Sequence, residues 1–279
     1  MADGGKYNYI GKGCVEKMTK KDKLIRFLVR NSFMMPLVGV ALPELYQSYK
    51  LFKKDIQKYN QRNKTNFAIQ DEYLYPCLTD RFRQAGVTGL YFWQDYWAAQ
   101  LIIGCNPEEH YDIGSRIDGF IAHLSLFMKN IHLIDVRPFE LSIPGVDFRQ
   151  ADATELEGIE NESIYSISAL CSLEHFGLGR YGDPIDPEAC FKAMKSVERV
   201  LASGGNAYIS VPIGYEHLEY NAHRVFFAKT VKDTFSGCEL AEFSTTDGTC
   251  IEKNTPIGKY DDEKKSWGGR FGLFHFVKK

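Results

Sequence analysis

The chain has 279 residues, 44% of them hydrophobic and 25% charged, with a formal net charge of −2. These values fit one large globular domain, or a domain with a substantial extension, and exclude a whole-chain electrostatic affinity for nucleic acid. Seven cysteines (Cys14, Cys77, Cys105, Cys171, Cys190, Cys238 and Cys250) are odd in number and contain no Cys-x-x-Cys pair. That argues against a disulfide framework or a zinc site and for a reducing, cytoplasmic setting with no metal expected.

Residues 1–65 read as a helical N-terminal extension, and 66–279 as the main domain. No signal-peptide pattern opens the sequence. Lys17 to Arg30 is basic and carries Leu24, Ile25, Phe27 and Leu28. That pattern suits an amphipathic helix packed on the protein or on a second copy in a homo-oligomer; a peripheral contact with an anionic membrane surface is the other reading. The longest apolar stretch, Phe33 to Leu42, is interrupted by Pro36 and falls short of the roughly 20 residues a spanning helix needs. Leu45, Tyr49, Leu51, Phe52 and Ile56 recur at helical spacing, and Asn60 to Asn66 reads as a polar linker. Gly89 to Ile103 predicts a helix that is apolar on nearly every side and therefore buried, stopped at Gly104 with Pro107 just beyond.

From His110 the pattern alternates. Strands are expected at 111–113, 131–136, 146–150, 163–173, 207–211, 239–245 and 269–278. Helices are expected at 117–129, from Pro187 to Leu201, closed by Gly204 and Gly205, and at 228–235. Alternating strands and helices build a parallel, doubly wound sheet. No helical pattern separates the last two strands, so the final strand returns antiparallel. The fold class is therefore α/β: a Rossmann-like, seven-stranded, mostly parallel sheet with an antiparallel last strand.

Within this frame, the glycine turn at Gly114 and the acid Asp135, about 20 residues on, have the spacing of a nucleotide-binding crevice. The turn admits close backbone approach, and the acid accepts hydrogen bonds from a ribose diol. The Gly-x-Gly-x-x-Gly pattern is incomplete, because Arg116 stands where a middle glycine would be.

Five segments in register resemble the class I S-adenosylmethionine-dependent methyltransferases over about Tyr91 to Val277. Tyr111-Asp112-Ile113-Gly114-Ser115 resembles the motif that cradles the methionine part of the cofactor. Asp135, followed by Val136, resembles the acid that holds the ribose, and Ala151-Asp152-Ala153 the segment that meets the adenine amine. Ser168 to His175, which includes Leu170 and Glu174, resembles the motif bordering cofactor and substrate. Gly204 to Pro212 resembles the fifth-strand segment. The resemblance implies S-adenosyl-L-methionine as cofactor, held by Asp112, Gly114, Ser115, Arg116, Asp135, Val136, Asp152, Ala153, Leu170 and Glu174. Two longer strings, Asp112 to Gly119 and Ser172 to Pro184, are similar to a little-characterised family seen in nematodes and in bacterial surface-polysaccharide clusters. That similarity implies a glycan or other small-molecule acceptor. Arg116 departs from the general pattern. It either pairs with Asp118 or Asp135, contacts an acidic group such as the cofactor carboxylate, or fills the cofactor space and leaves a relative unable to bind it.

Transfer of a methyl group to a hydroxyl needs alignment, exclusion of water and a base. His175, at the carboxyl end of the fourth strand, is the expected base, with a structural loop histidine as the alternative role. Tyr181 and Asp183, with Arg180, are the expected acceptor-side residues. His217 and His223 lie on the same rim, and Tyr91, Trp93, Asp95 and Trp97 precede the glycine turn; Trp97 is expected to be packed. The competing functions are a nicotinamide-dependent oxidoreductase on the same crevice and a non-catalytic scaffold of the same fold.

Overall fold

The computed structural model describes residues 43–264 and 269–279, apart from 79, 83–85, 87 and 141. The expectations for Lys17–Arg30 and Phe33–Leu42 lie outside the described residues. The chain divides into two compact units, residues 1–87 and 88–279.

In the first unit, helix α1 (Pro43–Arg62) carries the apolar spacing seen in the sequence. It runs three residues into the segment expected to be a linker. Asn63 then stops it: its side-chain oxygen accepts from the Thr65 amide and hydroxyl, and its amide donates to the Phe67 carbonyl. Such a turn satisfies the backbone groups of the segment that leaves the helix. Arg81 pairs with Asp55 within the same unit.

The second unit is built on one sheet. Its strands are β1 (His110–Ile113), β2 (Ile131–Asp135), β3 (Val146–Gln150), β4 (Ile164–Leu170), β5 (Leu201–Pro212), β8 (Cys238–Thr246), β9 (Ile251–Glu252) and β10 (Phe271–Lys278). A separate hairpin, β6 (His217–Glu219) and β7 (His223–Val225), lies between β5 and β8 in sequence. The sheet order is β3-β2-β1-β4-β5-β10-β8-β9. The first five strands are parallel, and β10 runs antiparallel between β5 and β8. This is a Rossmann-like, mostly parallel sheet with seven principal strands and the two-residue β9 added at the edge.

Helices cover both faces. On one face α2 (Leu90–Cys105), the turn Ile117–Ile121 and the short α3 (Ala122–Leu124) bury Trp97, Ile102, Phe120 and Leu124 against Leu133, Tyr208 and Leu273. On the other, α4 (Ala189–Val200) and α5 (Ala228–Thr234) bury Met194, Val197 and Val231 against Ile167, Ile209 and Phe276. β4 is buried along its length because helices cover both its faces; its one exposed residue is Tyr165. The chain winds one way from β1 to β3 and the other way through β4 and β5. The crevice therefore opens at the carboxyl ends of β1 and β4, the topological switch point.

Several local expectations change. Helix α2 is buried on one face only, because it forms an outer layer; Phe92, Tyr96 and Gln100 face outward. Gly104 stays helical, and the left-handed stop is Asn106, whose φ is 49° and whose amide donates to the Ile102 carbonyl. The helix expected at 117–129 is shorter. It starts as a widened π turn, Ile117–Ile121, where Gly119 packs on Asp95; a Cβ there would come within 2.2 Å of the carboxylate. It closes when the Leu124 carbonyl accepts from both Phe127 and Met128. Gly204 and Gly205 do not close a helix. They lie inside β5, in an irregularity where Leu201 pairs with Ile164 and Asn206 with Ser166. A side chain at Gly205 would meet the Ala202 and Ile164 carbonyls.

Candidate active site

A cavity of about 440 Å³ opens at the carboxyl ends of β1 to β4. Gly114, Asp135, Val136, Asp152, Ala153, Ser172 and His175 line it. A smaller compartment of about 140 Å³ shares Gly114, Arg137, Cys171, His175 and Tyr181 with it, and adds Tyr91, Arg116, Leu170, Glu174 and Arg180. Eight of the ten expected cofactor residues line a compartment: Gly114, Asp135, Val136, Asp152 and Ala153 the larger, and Arg116, Leu170 and Glu174 the smaller. Asp112 and Ser115 brace the turn from behind.

That bracing has a clear physical basis. Asp112 is fully buried. One of its oxygens accepts from the Ser115 amide, the other from the Ser115 and Ser168 hydroxyls. Burial pushes its carboxyl up to about 6 against these bonds, which favour the charged form. Ser168 also meets His110 Nε2 at 2.8 Å, and His110 Nδ1 lies 2.8 Å from Ser166. The network holds Gly114 at a φ of +66°, where a Cβ would sit 3.2 Å from Ser172 Cβ and 3.9 Å from Asp135 Oδ2. The missing side chain keeps the passage between these two walls open.

Arg116 does not fill the larger cavity. It forms a two-pronged pair with Asp118, at 3.1 and 2.8 Å, and its guanidinium lies 4.9 Å from the Tyr91 ring centre. Of the pairings expected for Arg116, the one with Asp118 is present, and the residue lines the smaller compartment.

Asp135 is the residue whose surroundings sequence reasoning missed. Both oxygens are held by Arg137, with Nε to Oδ1 at 2.9 Å and Nη2 to Oδ2 at 2.6 Å. Arg137 also lies over the Tyr181 ring at 4.6 Å. The available signal was an arginine two residues after the acid, where an Asx turn brings it back; the Arg137 amide donates to Asp135 Oδ1 at 2.8 Å. Asp152 is exposed and accepts the Thr154 amide on one oxygen.

Glu174 and His175 form the short turn after β4 (Leu173–His175). Glu174 is 2% exposed, and its Oε2 has no hydrogen-bond partner. Burial pushes its carboxyl up to about 8. His175 Nδ1 donates to the Ala222 carbonyl at 2.6 Å, so Nε2 carries the lone pair; it stands 3.6 Å from Glu174 Oε1. Burial pushes the imidazole down to about 4, and nearby Arg180 adds to the effect. The ring is therefore neutral near pH 7. The β6–β7 hairpin, unforeseen as a structural element, positions this turn. It supplies Ala222, and Arg224 donates to the Glu174, Phe176 and Pro187 carbonyls.

Tyr181 packs edge-on against His175 at 5.6 Å. Asp183 accepts from the Gly177, Gly179 and Tyr181 amides, so its carboxylate holds the loop in shape. His217 and His223 both approach Glu219, at 3.4 and 3.5 Å, on the hairpin. Trp97 is packed as expected, its indole donating to Glu242 at 2.9 Å.

Residues 146–266 match a family described as Caenorhabditis protein of unknown function, DUF268. No curated protein matches the chain. Among solved structures, it is similar to the Burkholderia thailandensis 1,6-didemethyltoxoflavin-N1-methyltransferase (16% identity, TM-score 0.47, 67% of this chain and 78% of that one). The N-methyltransferase NodS from Bradyrhizobium japonicum WM9 is similar at 13% identity and a TM-score of 0.44, over 80% of this chain and 97% of that one. The YcgJ protein from Bacillus subtilis gives 14% and 0.47, over 66% and 99%.

Proposed function

We propose that this chain is an S-adenosylmethionine-dependent methyltransferase that modifies a hydroxyl on a small molecule or glycan. The observation that supports this most directly is one cavity gathering Gly114, Asp135, Val136, Asp152 and Ala153 from the ends of three strands. Its floor presents a buried Ser172 hydroxyl, and the adjoining compartment the buried Glu174 Oε2, neither with a hydrogen-bond partner. Unsatisfied buried polar atoms are costly, and a polar ligand relieves the cost. The residues fit the cofactor. Asp135 would hold the ribose hydroxyls in exchange for Arg137, Asp152 and Ala153 the adenine end, and the Gly114–Ser115 turn with Glu174 the amino-acid end.

When bound, the cofactor supplies an electrophilic methyl group. The chain supplies the rest. His175 lines both compartments and keeps Nε2 unprotonated, so it can take the acceptor's proton. Tyr181 flanks it, and Asp183 holds the loop that carries Tyr181. A glycan acceptor, and with it a place in polysaccharide biosynthesis, is supported by the two strings at Asp112–Gly119 and Ser172–Pro184.

The test is ligand-dependent stability. S-adenosylhomocysteine at a hundredfold excess over its dissociation constant should stabilise the protein by about 2.7 kcal/mol. Stabilisation by NAD with none by S-adenosylhomocysteine or S-adenosylmethionine would overturn the reading in favour of the oxidoreductase; cofactor binding with no turnover across a broad acceptor screen would favour the scaffold.

A further inference from the structure

We propose that the methyl acceptor is anionic, and that Arg180 receives its carboxylate or phosphate at the mouth of the smaller compartment. The proposal rests on the methyltransferase reading and narrows its substrate class. Three arginines line this compartment: Arg116, Arg137 and Arg180. Two of them arrive already neutralised, Arg116 by Asp118 and Arg137 by Asp135. Arg180 forms no ion pair among the described residues. Its Nη1 donates to the Ala222 carbonyl at 2.9 Å and lies 3.4 Å from His175 Nδ1, and its guanidinium stands over the Tyr181 ring at 5.1 Å. The remaining donors of its planar fork are suited to two-pronged binding of a carboxylate or phosphate.

Glu174, the acid that lines this compartment with Arg180, does not cancel this charge. Glu174 is buried and holds its proton at neutral pH, so the compartment is locally positive within a chain of net charge −2. Position separates Arg180 from the cofactor. Arg116 lies on the Gly114 turn, next to the cofactor's expected amino-acid end, whereas Arg180 shares the Ala222 carbonyl with His175. An anion there has a chemical consequence. Arg180 is one of the charges that hold the His175 imidazole down. Pairing Arg180 with the acceptor's anion lifts that influence and makes His175 a stronger base only once acceptor is bound.

The experiment titrates inorganic phosphate and acetate into wild-type, R180Q and R180K protein, with and without S-adenosylhomocysteine. The His175 Cε1 proton is followed by NMR, and cofactor affinity by calorimetry. Phosphate should bind wild-type protein, shift the His175 resonance and raise its titration midpoint. Binding should weaken at least tenfold in R180Q and recover in part in R180K, with S-adenosylhomocysteine affinity changed less than twofold in both. The proposal is overturned if phosphate leaves His175 unmoved. It is equally overturned if R180Q loses S-adenosylhomocysteine but keeps 5′-methylthioadenosine, which lacks the amino-acid carboxylate; Arg180 would then serve the cofactor. Failure of wild-type protein to bind S-adenosylhomocysteine would instead strike the methyltransferase reading, and the phosphate titration of the ligand-free protein would still report on Arg180.

Discussion

The two compartments meet at Gly114 and His175 but solve different problems. The larger is walled by strand ends and turns whose acids are already held, Asp135 by Arg137 and Asp152 by Thr154, while Asp112 braces the glycine turn from behind on two serines. The smaller holds groups at odds with their surroundings: a buried carboxyl with a bare oxygen, an imidazole kept neutral, and an arginine without a carboxylate. Shape dominates the first and electrostatic tension the second. That division suits a site where one region binds a nucleoside and the other manages a proton.

Breaking the proton side should have the largest effect. His175→Ala should lower kcat by ~10²–10⁴-fold, the usual worth of a positioned base, with S-adenosylhomocysteine affinity within about threefold of wild type. Parallel loss of cofactor binding by calorimetry would make His175 a structural residue of the larger cavity. In the wild-type protein, kcat should not fall through pH 6.5 as an ordinary histidine would dictate, because the imidazole titrates at about 4. The same shift has a stability sign. The folded imidazole resists protonation while the unfolded one accepts it, so stability declines as pH drops from about 6.5 toward 4.

Breaking the shape side comes next. Gly114→Val would strain a left-handed position and push a side chain toward Ser172 and Asp135. It should weaken S-adenosylhomocysteine by ~100-fold and cost ~1–2 kcal/mol of stability. Asp112→Asn sets an amide where the Ser115 amide or the serine hydroxyls now donate, which should cost ~2–3 kcal/mol by chemical denaturation. Unchanged stability would mean the turn is held by packing alone.

The smallest effects sharpen the contrast. Glu174 keeps its proton in the folded state until about pH 8, whereas an unfolded carboxyl loses it near 4.5. Folding is therefore penalised progressively as pH rises from about 4.5 to 8, and Glu174→Gln should raise Tm on the order of 5 °C at pH 8 with little change at pH 4.5. Arg137→Ala frees Asp135 for a ribose and should tighten S-adenosylhomocysteine by roughly fivefold, about 1 kcal/mol. Weaker binding would make Arg137 part of the cofactor site.

The alternation of strands and helices, the antiparallel end and the glycine-then-acid spacing were legible because period and spacing are local properties of the chain. So were Gly114, Asp135 and Asp152 as crevice residues, and His175 beside Glu174. The widened start of the 117–129 helix was not legible, because Gly119 packs there on Asp95 from another helix. Nor was the place of the glycine pair, which depends on how β5 meets Ile164. Asp183, expected on the acceptor side, lines the cavity and also accepts three loop amides; Arg137, two residues after the acid of the crevice, holds it. Sequence alone determined which groups stand near the ends of the parallel strands. Only the tertiary structure decided which of them are already satisfied and which are buried without a partner. Satisfaction depends on residues far apart in the chain, such as Ala222 for His175 and Ser168 for Asp112, and burial sets the protonation states on which chemistry at this site depends.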